Sequence, residues 1–314
     1  MRQRGANATR CDTLPAPVDP LASAQQTGNF MSVKTSKTNS ELPKRPLTLA
    51  TWNINSVRAR RDLVHGFLQQ YTPDILCLQE TKVRDSEFPH DLFEQNGYAH
   101  RLIQGQPGYN GVAIFARFPI VLAEARKLVG RDDKRHIAAK LPDGTVIHNY
   151  YVPAGGDIPD PKKNDKFQHK LDVLAEMQAW SKGLGRKGKR HILVGDLNIA
   201  PLESDVWSHK QLLDVVSHTP IETEGLLALQ KTHNWVDAMR HFIGPTEKLF
   251  SWWSYRSPDW EKADKGRRLD HVWLSPDLAP ALKGCQVVKA MRGKEKASDH
   301  APVLATLDLA SDGG

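Results

Sequence analysis

Short apolar runs that end in polar residues recur along most of the chain: Leu47–Asn53, Ile75–Gln79, Gly111–Phe115, Ile137–Leu141, Val146–Val152, His191–Val194, His271–Leu274 and Val303–Leu307. Their shortness and their Val, Ile, Tyr and Trp content predict strands rather than helices. Pro142-Asp143-Gly144, between two of the runs, is a hairpin turn signal. Helical spacing shows at Leu63, Val64, Phe67 and Leu68, and again at Phe167, Leu171, Leu174 and Met177. Strands and hairpins with helices among them predict an α+β architecture of two sheets packed face to face with helices outside, not one parallel doubly wound sheet. No internal repeat is visible.

Residues 1–45 lack the pattern. They mix Arg, Ser, Thr, Asn, Gln and Pro with few large apolar residues, which predicts a disordered tail before one domain over 46–310. The tail has no apolar core of a secretory signal. Arg2, Arg4 and Arg10 among Ser and Thr suit an organelle transit peptide, whereas Asp12, Asp19 and several prolines oppose one, and Met31 offers an alternative start. No apolar run approaches the ~18 residues of a membrane span, which predicts a soluble protein with no membrane partner. Cys11, Cys77 and Cys285 are odd in number and far apart, with no CxxC, so a reducing compartment and a cytoplasmic location are expected. Cys77, inside Ile75–Leu78, reads as a small core residue.

A formal charge of +7 and a pI near 9.2 favour a polyanionic partner. Residues 1–45 hold seven Lys and Arg against three Asp and Glu, so more than half of that excess lies in the tail. A nucleic-acid surface must therefore gather its positive charge locally.

The runs differ from ordinary strands in how they end. Ile192-Leu193-Val194 leads into Gly195-Asp196-Leu197-Asn198, where residues two apart on an extended segment share a face, so a carboxylate and an amide are offered to one small space. Other ends carry Asn53-Ile54-Asn55, Glu80-Thr81-Lys82, Tyr150-Tyr151, Asp270, and Ser298-Asp299-His300. Each alone also reads as a turn, a cap or a satisfied core residue. Together they form a catalytic inventory. Phosphodiester hydrolysis needs charge neutralised on the non-bridging oxygens, an activated water and a stabilised leaving oxygen, which hard oxygen ligands and Mg²⁺ can supply. Mn²⁺ suits the same donors. Glu80 is the best first metal ligand, with Asn53 and Asp299 in support. Asp196, with Asn198 beside it, orients or deprotonates water. His300 takes a carboxylate partner, Asp270, and Tyr151 adds a phenol or a phenolate.

Taken in order, these segments and Gly111-Val112-Ala113, Ser251-Trp252, Tyr255-Arg256-Ser257 and Arg268-Leu269-Asp270 resemble the exonuclease III-type apurinic/apyrimidinic endonucleases of the endonuclease/exonuclease/phosphatase superfamily, from about Leu47 to Leu307. The resemblance implies a four-layer α/β sandwich and a divalent-metal phosphodiesterase acting on damaged DNA. It assigns Glu80 as principal metal ligand, Asn53 and Asp299 as helpers, Asp196 as base, Asn198 and Tyr151 as phosphate contacts, and Asp270-paired His300 as transition-state donor. Asp196 and Asn198 belong to the candidate metal shell as well. Arg58, Lys82, Tyr109, Asn110 and Arg135 match positions facing the DNA backbone, which set register without reading sequence. Trp252 and Leu269 match the lining of a pocket for a flipped-out abasic sugar. The implied enzyme is a bacterial, nucleoid-acting monomer on duplex DNA with abasic sites or blocked 3′ ends. It incises 5′ to the lesion, leaves a 3′-hydroxyl, and has 3′-5′ exonuclease activity. Two departures stand out: Ala154 replaces a long polar residue that enters the duplex, and Arg267 replaces an apolar or aromatic residue that closes the pocket. A sister phosphodiesterase on RNA or lipid is the alternative. A catalytically silent DNA-binding module would be expected to have lost the Glu, Asp or His that this chain retains.

Overall fold

Fully apolar strands are buried on both faces, and that is how most of the runs lie. The computed structural model describes residues 41–185, 189–257 and 259–309. Within them run β1 (Leu47–Asn53), β2 (Ile75–Gln79), β3 (His100–Gln104), β4 (Val112–Ala116), β5 (Val121–Glu124), β6 (His136–Lys140) and β7 (Val146–Tyr151). They continue as β8 (His191–Asp196), β9 (Val236–Asp237), β10 (Trp252–Trp253), β11 (Gly266–Arg267), β12 (Asp270–Leu274), β13 (Leu282–Val287) and β14 (Val303–Leu307). The helices that matter here are α1 (Arg61–Tyr71), α2 (His90–Gln95), α3 (Asp165–Gly183), α4 (His209–Leu212) and α5 (Pro220–Thr232). Of the tail expected over 1–45, residues 1–40 lie outside the described residues. Arg45 is described, and its guanidinium pairs with Asp74 at 2.7 Å. Cys11 and the expected transit-peptide arginines also lie outside.

One six-stranded sheet has the order β13-β14-β1-β2-β4-β3, the other β5-β6-β7-β8-β12-β9. Each holds one parallel pair at its middle, β1 with β2 and β7 with β8, and is otherwise antiparallel. A parallel pair needs a crossover, which α1 and α3 supply. The two β-α-β units therefore correspond, although their sequences show no repeat.

Leu49, Cys77, Ile114, Ile147, Val194 and Val272 fill the space between the sheets. Trp52, Leu78 and Phe115 pack outward on Val64, Phe67 and Phe93 of α1 and α2, and Tyr150, Leu193 and Trp273 pack outward on Val173, Met177 and Leu229 of α3 and α5. This is the expected α+β sandwich of four layers. The hairpin forms between β6 and β7, with Leu141 and Thr145 closing it and Gly144 at φ +87°. Among the described residues no helix is long and apolar enough to cross a membrane.

The sequence pattern misses β3, β13, β5 and β9, which are the edges of the two large sheets, and the two-residue strands β10 and β11, which form a two-stranded sheet of their own. An edge strand has one partner and more solvent: β3 is half-buried throughout and β5 is almost wholly exposed. The β3 strand mixes His, Arg and Gln with two apolar residues, whereas β5 is apolar in sequence but holds Val121 and Leu122 exposed. Boundaries also shift. The fourth sheet-one strand begins at Val112 rather than Gly111, and β8 runs on to Asp196 rather than stopping at Val194.

Candidate active site

The parallel pairs send strand ends the same way, so Asn53 ends β1 beside Gln79 of β2, and Tyr151 ends β7 beside Asp196 of β8. Antiparallel β12 begins there, with Asp270 directly opposite Asp196. The chain leaves these ends through left-handed backbone: Asn55, Glu80, Lys82, Asn110 and Asn198 have φ of 47°, 51°, 53°, 54° and 54°. Such conformations in residues with side chains cluster where the surroundings over-determine them. Gly195 is required for a different reason. A Cβ there, at φ +132°, would sit 1.9 Å from the Tyr150 carbonyl oxygen.

Asp196 and Asn198 do meet, but not as neighbours on one strand face. The strand stops at Asp196, and Asn198 turns back so that its backbone N–H donates to Asp196 Oδ1 at 2.9 Å and its Nδ2 to Asp196 Oδ2 at 3.0 Å. The Asn53 Nδ2 donates to both Glu80 Oε1, at 2.8 Å, and Asp196 Oδ2, at 2.9 Å. One amide thus joins the two halves of the sandwich at the site.

Opposed, buried carboxylates repel, and His300 lies against both. Its Nδ1 is 2.8 Å from Asp270 Oδ2, and its Nε2 is 3.7 Å from Asp196 Oδ2. Burial disfavours the imidazolium, but Asp270 and then Asp196 outweigh it and raise the His300 pKa to about 10. Burial raises the Asp196 pKa to about 7, even with the His300 charge beside it. A donor held protonated and a base poised near neutrality face each other.

Glu80 and Asp299 sit at the opposite electrostatic setting. Burial pushes the Glu80 pKa up, but Lys82, Asn53 and His300 overcome this and hold it low; burial at Asp299 is likewise overcome by His300, Trp252 and Asn55. Two ionised carboxylates with no sulfur donor nearby fit a hard divalent cation. The Asp196, Asp270 and His300 cluster suits one less, because His300 Nδ1 is already committed to Asp270. Asn53 and Asn198 turn their amide nitrogens to carboxylates, so in this geometry they brace ligands. Tyr151 donates to Glu80 Oε1 at 2.8 Å, and burial with Glu80 and Asp196 nearby keeps its pKa well above the usual tyrosine value. In this arrangement it stands as a phenol that donates.

Glu80, Asp196, Asn198, Asp299 and His300 open into a cavity of about 820 Å³ whose wall includes Trp252 and Leu269. Trp252 Nε1 donates to Asp299 Oδ2 at 2.9 Å. Tyr109, Asn110, Arg135 and Tyr151 line an adjoining cavity of about 660 Å³, and Ala154 and Gly156 border both. Arg135 stacks over the Tyr151 ring at 4.7 Å, and Lys82 pairs with Glu80 at 2.8 Å. Arg58 lines neither cavity and pairs with exposed Glu87 at 3.1 Å.

Several supporting residues escaped the sequence reading. Asn55 links Asp299 to Lys82, accepting from Lys82 Nζ at 2.6 Å and donating to Asp299 at 3.2 Å. The Ser251 hydroxyl donates to Asp270 Oδ2 at 2.7 Å while accepting from the Leu269 and Asp270 N–H groups. Both stand inside recognised motifs, but their partners are remote in sequence. Lys170 gave no signal at all: a lysine on α3, fully buried, it pairs with buried Glu222 of α5 and donates to the Asn198 carbonyl at 2.7 Å. Lys170→Met is expected to lower kcat roughly 10–100-fold by freeing Asn198, and to lower Tm by stranding Glu222. Adding Glu222→Gln, which removes the stranded charge but keeps an acceptor for the Ser217 and Thr219 donors, should recover part of Tm but not kcat, as melting curves and single-turnover kinetics will read.

A model of the endonuclease/exonuclease/phosphatase family matches residues 50–300. The exodeoxyribonuclease III of Haemophilus influenzae is 31% identical over 267 residues, covering 81% of this chain and 97% of that one. The structure of an AP endonuclease from Archaeoglobus fulgidus superposes with a TM-score of 0.77 at 32% identity, covering 84% of this chain and all of the other. A 3′ phosphatase from Neisseria, bound to a product DNA hairpin, gives a TM-score of 0.75 at 30% identity, covering 83% of this chain and 99% of that one. With its sandwich, its converging strand ends and these likenesses, the chain belongs to the endonuclease/exonuclease/phosphatase family.

Proposed function

We propose that the chain, a metal-dependent DNA repair nuclease, incises duplex DNA 5′ to abasic sites to leave a 3′-hydroxyl and trims blocked 3′ ends, acting as a monomer with Mg²⁺, or with Mn²⁺ in its place. The observation that carries this reading is the Asp196–Asp270 pair opposed across two strands with His300 against it, where Asp196 and His300 open into one cavity with Glu80, Asp299 and the Trp252–Leu269 wall.

Glu80 and Asp299 would hold the cation, which when bound neutralises phosphate charge and stabilises the leaving oxygen. Asp196 takes the proton of the attacking water, its pKa near 7 matching that task. Asn198 and Tyr151 hold the phosphate. The His300 imidazolium donates to a phosphoryl oxygen as charge builds on it, and Asp270 keeps the ring oriented and charged. Water adds to phosphorus, its proton passes to Asp196, the P–O3′ bond breaks, and the leaving 3′-oxygen takes a proton from solvent to become the hydroxyl. Arg135, Lys82 and Tyr109 border the path of the flanking backbone, and Arg58 adds a more distant cation. The described domain accounts for the reaction, with the tail over 1–45 outside it.

Purified enzyme with Mg²⁺ is expected to cut a synthetic abasic duplex and to release 3′-phosphate from a blocked end, with no turnover of sphingomyelin. A preference for the lipid or for RNA overturns the substrate. Glu80→Gln should lower kcat on the order of 10³-fold, with duplex affinity within a few-fold in a gel-shift titration. Cleavage that survives a chelator rules out the cation.

A further inference from the structure

Arg267 is a cation in the cavity wall without an anion. On β11 it lies directly across from Trp252 of β10, with its guanidinium over the indole ring at 5.3 Å. Its NH1 donates to neutral oxygens, the Val216 carbonyl at 2.9 Å and the Ser217 hydroxyl at 2.7 Å. Its Nε is buried with no hydrogen-bond partner, and among the described residues no carboxylate forms an ion pair with it. Glu222, the acid that acts on it from a distance, is already paired with Lys170. A half-buried guanidinium costs desolvation, which the indole face and two neutral oxygens offset in part and an anion would offset more fully. Trp252, on which it stacks, holds Asp299 through its Nε1, so Arg267 stands one ring away from the carboxylates that would hold the cation. Trp252, Leu269 and Arg267 line one cavity with Glu80, Asp196 and Asp299, and on the repair-nuclease reading that wall receives the group on the 3′ side of the scissile phosphate.

We propose that Arg267 selects 3′-terminal blocks that carry their own negative charge, such as a carboxylate on a small ester of the terminal phosphate. The proposal rests on the repair-nuclease reading above and adds the charge of the preferred block. The chemistry is the same hydrolysis; the carboxylate accepts from the guanidinium while water attacks phosphorus. Charge-assisted hydrogen bonds of this kind are about twice as strong as neutral ones.

The test compares duplexes ending in a 3′-phosphoglycolate, which carries a carboxylate, and in a 3′-phospho-2-hydroxyethyl ester, which is nearly the same size and uncharged there. The native enzyme is expected to favour the glycolate about tenfold or more in kcat/KM. The preference should fall towards unity in Arg267→Leu and in Arg267→Gln, which retains a donor for Val216 and Ser217, and should return in part with Arg267→Lys. A purely structural role would lower both substrates together and leave the ratio unmoved. A native ratio near one, or a ratio unchanged by Arg267→Gln, overturns the proposal while the nuclease reading stands. Equal losses by Arg267→Gln on the glycolate and on an internal abasic duplex would assign the guanidinium to the next backbone phosphate, and also overturn it. Failure to cleave any of the three duplexes overturns the nuclease reading itself, and the selectivity with it.

Discussion

His300→Ala is expected to lower kcat on an abasic duplex by roughly 10³–10⁴-fold, near the upper end for loss of a positioned acid, with duplex affinity within a few-fold. Two losses combine in this one substitution. The donor to the phosphoryl oxygen disappears, and so does the positive charge between Asp196 and Asp270, which face each other across β8 and β12. Without it, one of the two buried carboxylates must hold a proton at neutral pH, as happens in any close pair of acids. Asp196 is the member already raised to about 7, so the base is lost with the acid. It follows that His300→Ala and Asp196→Asn should be strongly non-additive, the double variant costing little more than the worse single one. Asp270→Asn should be milder, because an asparagine oxygen held by the Ser251 hydroxyl can still accept from His300 Nδ1, so the ring stays oriented while only its charge support is gone. Additive losses in the cycle, measured by single-turnover cleavage, would show that the three groups act separately.

How much of this was legible in the sequence differs between the ends of the strands and their neighbours. The polar ends are local words, such as Asp196-Leu197-Asn198 or Ser298-Asp299-His300, and their residue types name the chemistry. The central strands are equally legible, because burial on both faces leaves an unbroken apolar run. Register is not local. That Asp270 pairs with Asp196, not with Gly195 one residue away, follows from where β12 docks on β8, and nothing in either segment states it. The same holds for Lys170, which reads as one more charged residue on a helix until α5 brings Glu222 against it. The edge strand β3 stays silent for a third reason, since half of its surroundings is water and its composition follows. Alternation also misleads at one point. It places Asp196 and Asn198 side by side on a strand face, whereas a left-handed residue folds one onto the other. The two are adjacent in both descriptions, for different physical reasons.

The Arg268-Leu269-Asp270 motif conceals a second kind of dependence, and Arg268→Leu should expose it as the largest stability loss of any substitution considered. Arg268 is 1% exposed. It donates to both oxygens of buried Asp205, at 2.7 and 2.9 Å, and to Asp237 at 2.5 Å, while its own backbone N–H donates to the Asp205 carbonyl. A leucine fills part of the volume but leaves two carboxylates in a dry site, with Arg240 remaining for Asp205 and none of this charge for Asp237. Removing one partner of a buried ionic cluster costs about 3–5 kcal/mol, which for a domain of this size is a fall in Tm on the order of 10 °C. The pH dependence fixes the cause. In the native protein burial works against the Asp205 anion, but Arg268 and Arg240 outweigh it and hold its pKa below the usual value. Its contribution is therefore full above the unfolded-state pKa near ~3.9 and is lost as pH falls through the lower folded one. In the variant Asp205 keeps only Arg240 against burial and takes up its proton at higher pH than in the native protein, so acidification from neutrality should relieve part of the loss, and the two melting curves should converge towards pH 5. Asp237→Asn added to Arg268→Leu should relieve it at pH 7 as well. A Tm change under about 2 °C, or a gap between the curves that widens on acidification, would mean that the motif's arginine is not the keystone of β12. Because Leu269 and Asp270 follow it directly, any loosening that does occur should also reach His300, and kcat should fall at temperatures well below the new Tm.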